Sequence, residues 1–168
     1  MNLRDVLYFS IMDSYNRVLY ELNYGNMDLS DLEEYLEYNI TLYKEHPLLV
    51  EKRETKDSQT IFFVIIANKN SNEIFVHNAL CSFLENCDKI MKNGWSMERF
   101  ETKFDLFIQL TNQFLFKGII LEDNKEKLEE RQLKRSFESI GGIKVNKGLA
   151  SMLNKAAKSM KNSFSLNK

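Results

Sequence analysis

The stretch TIFFVIIA, Thr60 to Ala67, limits the possible folds more than any other part of the chain. After Thr60 every residue is apolar, and the run is rich in β-branched and aromatic side chains, which pack well on a pleated surface. It is far shorter than the roughly 18 residues a membrane span needs. A strand without polar alternation has two faces to bury, so it belongs at the centre of a sheet with helices covering each side.

The flanking segments supply its neighbours. LLVEKRE, Leu48 to Glu54, reads as a strand, and the polar residues Thr55 to Gln59 read as the turn between the two. At the start of the chain, VLYFSIM (Val6 to Met12) and RVLYELNY (Arg17 to Tyr24) flank Asp13-Ser14-Tyr15-Asn16, whose side chains suit a tight antiparallel turn. A fifth strand is expected at Glu54 to Ser58 or nearby.

Between these pairs, Leu29, Leu32, Leu36, Ile40 and Tyr43 fall three or four apart, and Ser30 with Glu33 has the spacing of a capping box. This predicts an amphipathic helix over 29–43 with an acidic outer face, ended by His46-Pro47 because proline keeps its predecessor out of the α region. A second helix carries Leu80, Phe83, Leu84, Cys87, Ile90 and Met91 and stops at Asn93-Gly94. A third starts near Ser96 and is expected to run about 20 residues, or about 30 Å, to a stop at Gly118. Its stripe is Met97, Phe100, Phe104, Phe107, Ile108, Thr111, Phe114 and Leu115.

Beyond Leu121, residues 122–138 mix six acidic with five basic side chains and suit a solvated helix or linker, and Gly141-Gly142 allow a pivot. The tail then forms one apolar stripe, Leu149, Met152, Leu153, Ala156, Ala157, Met160 and Phe164, with six lysines and no acid from residue 139 onward. Two readings of this basic amphipathic helix stand open. It packs on its own domain or on a partner, or it touches anionic lipid through its lysines.

Charge excludes some partners. With 23 basic and 24 acidic residues the formal charge is -1, so no global field draws the chain to nucleic acid or acidic lipid. Twelve Phe and seven Tyr within a 43% hydrophobic composition exclude a disordered chain. The charged residues Arg4, Asp5 and Asp13 interrupt the first apolar stretch, which makes a secretory signal unexpected and a cytoplasmic location the default.

No phosphate-binding glycine loop, paired Cys-x-x-Cys or Gly-x-Ser-x-Gly elbow occurs, so no catalytic, metal or cofactor residue is assigned and no enzyme is expected. Cys81 and Cys87 point to different helical faces and read as reduced thiols. His77 and Cys81 share a face at i, i+4, a geometry zinc accepts. The other histidine, His46, lies in a loop, and a structural site needs about four ligands.

Two stretches carry a family resemblance: TIFFVIIANKNSNEIFVHNALCSFLENCDKIMKN and FLFKGIILEDN, Phe114 to Asn124. They resemble the small-subunit family of vesicle coats, the longin-like (SNARE-like) family that takes in the sigma subunits of clathrin adaptors and the zeta subunits of coatomer. The run Gly118-Ile119-Ile120-Leu121-Glu122 is similar to the zeta type, and the tail LNKAAKSMKNSFSL is similar to its closing helix. The chain departs from that type at Thr111-Asn112-Gln113, where acidic residues are usual, and in its more charged Lys52 to Gln59 hairpin.

The resemblance implies an α+β fold: a five-stranded antiparallel sheet sandwiched between helices, with a C-terminal amphipathic helix. It covers a single domain over 1–168, with a core to about 123 and a helical extension over 124–168. It implies a non-catalytic subunit of the COPI coat that forms a heterodimer with the gamma subunit of coatomer and meets an Arf-family GTPase only through the large subunits. Such a coat sits on the cytosolic side of Golgi membranes and on COPI vesicles, in retrograde Golgi-to-ER and intra-Golgi transport. The residues expected at the partner interface are Phe114, Leu115, Phe116, Ile119, Leu121, Met160 and Phe164. The alternatives are a sigma subunit of a clathrin adaptor and a longin-type tethering-complex subunit. A SNARE would require a heptad region and an apolar anchor after residue 123, which the remaining sequence does not supply.

Overall fold

A computed structural model describes residues 4–131, 137–140 and 143–146, with Arg131 and the two short segments described by their backbone alone. The chain divides into two compact units, Met1–Gln132 and Leu133–Lys168. The expected tail helix, with Met160 and Phe164, lies outside the described residues, as does the Gly141-Gly142 pair.

The first unit is built on five antiparallel strands: β1 Val6–Met12, β2 Val18–Asn23, β3 Ile40–Tyr43, β4 His46–Glu54 and β5 Thr60–Ala67. Their spatial order is β2-β1-β5-β4-β3, which puts the apolar run 60–67 at the centre as its composition requires. Phe9 faces Ile65 and Ile11 faces Phe63 on one side, while Leu49 faces Ile65 and Val50 faces Val64 on the other.

Alternation along these strands divides the interior into two cores. Phe9, Ile11, Leu49, Ile61, Phe63 and Ile65 pack against α1 (Glu73–Ile90), α2 (Met97–Thr102) and α3 (Phe104–Phe114). Tyr8, Leu48, Val50, Phe62, Val64 and Ile66 form the second core, closed by Leu32, Leu36 and Tyr43.

That second face is not covered by the expected helix over 29–43. The segment makes one 3-10 turn, Leu32–Tyr35, and then enters the sheet as β3. The capping box does not form, because the Ser30 N–H donates to Asp28 Oδ1 at 3.2 Å and the Asp31 side chain makes no cap hydrogen bond. Instead the Tyr43 hydroxyl donates to the Asp31 carboxylate and lies 2.9 Å from the Asp28 carbonyl. The β-branched pair Ile40-Thr41 takes extended backbone as the fifth strand, and Glu54 to Ser58 closes the β4–β5 turn. Lys44 and Glu45, both left-handed with φ of 47° and 68°, make the two-residue turn between β3 and β4.

The first hairpin forms where expected, around one buried carboxylate. Asp13 Oδ1 accepts the N–H groups of Tyr15 and Arg17, each at 2.9 Å, and Oδ2 accepts Arg17 Nε at 2.9 Å. Replacing Asp13 with alanine removes the three hydrogen bonds of this turn and is expected to cost about 1–3 kcal/mol in denaturant unfolding. A loss under about 0.5 kcal/mol would show that the turn holds without its carboxylate.

Helix α1 begins at Asn72, whose side chain accepts the Phe75 N–H at 3.1 Å, and the chain leaves its end through Gly94 at φ 92°. The long third helix of the sequence reading is two helices. Lys103, at φ -108° and ψ 11°, breaks the line, and its amine donates to the Ile90 carbonyl at the end of α1.

Past Leu121 a solvated helix, one of the two expected arrangements, forms and is anchored at a single buried side chain. Asn124 caps α4 (Lys125–Arg131) by accepting the Lys127 N–H at 3.0 Å, and Leu128 is fully buried in the helix-side core. Ion pairs Lys125–Glu85 at 3.1 Å and Lys89–Glu129 at 2.6 Å tie α4 to α1. In the second unit, β8 (Phe137–Ile140) and β9 (Ile143–Asn146) pair antiparallel, one on each side of the predicted pivot.

Candidate interaction surface

Helix α3 ends at Phe114, because Leu115 turns to extended backbone at φ -135° and ψ 127°. Leu115–Phe116 (β6) then pairs with Ile119–Ile120 (β7), Leu115 opposite Ile120 and Phe116 opposite Ile119. The connection is Lys117-Gly118, at φ 50° and 83°, the double left-handed pattern of a type I′ turn. Gly118 therefore closes a hairpin, where the sequence reading made it a helix stop.

This hairpin is fastened to the start of β1. The Gly118 carbonyl accepts the N–H groups of Asp5 and Val6 at 2.8 and 2.9 Å, and Asp5 Oδ2 accepts the Ile120 N–H at 3.2 Å. Leu121 N–H returns to the Phe114 carbonyl at 2.8 Å. Glu122, expected to lead the chain back to water, is itself buried and accepts the Asn124 N–H at 3.3 Å.

Pleating sorts the side chains the sequence nominated. Phe114 and Leu115 are in the core, the Phe114 ring 4.8 Å from that of Phe83, so neither presents a contact surface. Phe116, Ile119 and Leu121 project outward, 54%, 41% and 49% exposed. The Lys117 amine lies over the Phe116 ring at 5.3 Å, which adds a cationic edge to the patch. The result is an apolar tip on a rigid, hydrogen-bonded support.

A second apolar exposure escaped the sequence reading. On β3, Ile40 and Leu42 point to the same side and are 48% and 63% exposed, while Tyr43 turns inward. Among the described residues β3 pairs only with β4, so its outer backbone edge is open. The adjacent β-branched residues Ile40-Thr41, followed by a polar turn, were the available signal. The helical spacing of Leu29 to Tyr43 concealed it.

Charge around this edge is arranged for structure. Lys44 Nζ lies 3.3 Å from both Asp28 and Asp31. The Ser30 N–H first, and Lys44 after it, hold Asp28 below the usual carboxylate range, and the Tyr43 hydroxyl does the same for Asp31. Depressed carboxylates contribute stability above their ordinary pKa and lose it as pH falls through the lowered value. With all three groups at the surface the contribution is small.

Two further features bear on chemistry. A cleft of about 250 Å³ lined by Leu19, Phe100, Glu101 and Phe104 is smaller than the usual ligand pocket of about 300–1,000 Å³ and holds a single carboxylate. Glu51, His77 and Cys81 converge with ligand atoms within 4.8 Å of one another, although the sequence pointed only to the last two.

These features define a class. The antiparallel sheet β2-β1-β5-β4-β3, layered with α1 to α3, is the longin-like fold of adaptor small subunits. A chain in a homology model of the full-length AP-3 complex in a stretched open conformation shares this fold, with a TM-score of 0.50 over 94% of this chain and 98% of that one, at 12% identity. In sequence, the protein is similar to coatomer subunit zeta of Encephalitozoon cuniculi, at 25% identity over 165 residues, covering 95% of this chain and 96% of the relative. No protein-family model matches the sequence. The two likenesses together support an adaptor-like small subunit of a coat. Among the described residues, no helix is long and apolar enough to cross a membrane.

Proposed function

We propose that this chain is the non-catalytic zeta-type small subunit of a coatomer coat, held against a curved, helical-solenoid large subunit of the gamma type. The end-to-end similarity to coatomer subunit zeta carries the reading, because 95% coverage matches a whole subunit and not a shared motif. The fold supports it. Phe116 and Ile119 on β6–β7, and Ile40 and Leu42 on β3, are exposed apolar side chains mounted on strands, which suits a fixed protein interface better than catalysis.

In this reading the outward tip Phe116, Ile119 and Leu121 docks on the large subunit, and the open β3 edge with Ile40 and Leu42 offers a second contact. Permanent interfaces commonly bury about 2,000 Å² or more, so neither patch alone would suffice. Met160 and Phe164 are proposed to extend the contact. Association with Golgi membranes follows from assembly in the coat, and an Arf-family GTPase acts through the large subunits.

Affinity purification of the tagged protein at moderate salt, followed by mass spectrometry, tests the assignment. Coatomer large subunits are expected in near-equal amounts, the gamma subunit foremost. Recovery of clathrin adaptins in their place would move the chain to a sigma subunit, and absence of any stoichiometric partner would contradict a coat role.

A further inference from the structure

We propose that Glu51, His77 and Cys81 form a binding site for a borderline-soft divalent cation of the zinc type, clamping α1 to β4. The three residues come from different parts of the chain. His77 and Cys81 lie one turn apart on α1, and Glu51 reaches them from β4. Their chemistry is a mixed nitrogen, sulfur and oxygen set, which zinc accepts and the hard cations calcium and magnesium do not favour.

Two of the three ligand-to-ligand distances are close to those of a coordination polyhedron, and the third is within 4.8 Å. His77 Nε2 lies 3.8 Å from Cys81 Sγ and 3.5 Å from Glu51 Oε1. With zinc about 2.3 Å from sulfur and about 2.0 Å from nitrogen and oxygen, neighbouring corners of a tetrahedron stand about 3.5 Å apart for sulfur and nitrogen, and about 3.3 Å for nitrogen and oxygen. Contraction by a few tenths of an ångström brings the two histidine edges to that geometry, and side-chain rotation of Glu51 closes the edge to Cys81. Water takes the fourth position, since the site is half-buried.

A supporting layer holds the carboxylate. Glu51 Oε2 lies 3.9 Å from the Arg53 guanidinium, which leaves Oε1 turned toward His77. Arg53 is itself held by Asp88 through two hydrogen bonds of 3.0 and 3.1 Å, and Asp88 also accepts the Trp95 indole N–H at 2.8 Å. Anchored outer groups of this kind orient metal ligands.

The other cysteine does not compete, because Cys87 is fully buried. Cobalt(II) is the probe: bound to a thiolate it gives a near-ultraviolet charge-transfer band. The reduced, chelator-treated full chain titrated with cobalt is expected to develop that band, and zinc is expected to remove it. Cys81→Ser should abolish the band, His77→Gln should weaken cobalt binding at least tenfold, and Glu51→Gln should do the same. Zinc should raise the melting temperature of the wild type and leave that of Cys81→Ser unchanged. No band at saturating cobalt would overturn the proposal, as would a band that survives Cys81→Ser. Undiminished binding in either His77→Gln or Glu51→Gln would overturn the three-ligand site.

Discussion

Truncating Phe83 to alanine is expected to destabilise the protein by about 3–5 kcal/mol, among the largest effects of a single core change. Phe83 lies on α1 where the helical layer meets the sheet, and it is fully buried. Its ring meets Phe9 edge-on at 5.8 Å and Phe63 at 6.3 Å, and lies 4.8 Å from Phe114. One side chain thus joins β1, β5, α1 and the end of α3. Its removal leaves a cavity bounded by rigid rings that collapse poorly, and aromatic pairs add about 0.5–1.5 kcal/mol each beyond the area they bury. Chemical denaturation measures the loss. At roughly 2–4 °C per kcal/mol for a chain of this size, the melting temperature should fall by about 6–20 °C. A loss under about 1 kcal/mol would mean that the ring cluster does not hold the two layers together.

Gly118→Ala is expected to cost about 3–4 kcal/mol, and the reason is local. A Cβ at this position would lie 2.5 Å from the Val6 carbonyl oxygen, a backbone atom that moves only if β1 moves. The φ of 83° adds strain of about 1–2 kcal/mol for any residue with a Cβ. Relieving the collision lifts the hairpin from Asp5 and Val6, and each hydrogen bond lost costs about 1 kcal/mol. Lys117→Gly is the control: Lys117 is also left-handed, so glycine there should leave stability unchanged or raise it slightly. Equal stability of Gly118→Ala and wild type would show that the turn is not seated on β1 as described.

The parts of the fold legible in the sequence were those set by local pattern. The β1–β2 and β4–β5 hairpins have alternating or uniformly apolar strands around polar turns. The central place of β5 follows from two faces without a polar residue. Helix α1 has its periodicity and its glycine exit.

What escaped depended on distant contacts. The leucines of 29–36 keep helical spacing, yet they serve as a lid on the second core because Tyr43, Asp28 and Asp31 tie the segment to the edge of the sheet. The break at Lys103 gives no signal in the apolar stripe, which continues through it. Gly118 looks like a helix stop because the turn's first left-handed residue is a lysine, a type with no special preference for that conformation.

The proposed contact surface is hidden for the same reason. Sequence nominates Phe114 to Leu121, but only the hairpin register separates the outward Phe116, Ile119 and Leu121 from the inward Phe114 and Leu115. Glu51 lies 26 positions before His77 in the sequence, so nothing local connects it with the His77–Cys81 pair.

The central claim is that a coatomer gamma-type large subunit holds this chain through its exposed apolar tip. Co-expression of the full chain with the gamma subunit of the same organism, followed by size-exclusion chromatography and titration of the complex, tests it most directly. The wild type should elute with gamma as a one-to-one complex. Phe116→Asp combined with Ile119→Asp should keep the fold and weaken binding by at least about thirtyfold, the loss expected when a buried hot spot worth about 2 kcal/mol or more is removed. A wild-type chain that elutes alone, or a doubly substituted chain that binds as tightly as the wild type, would contradict the account.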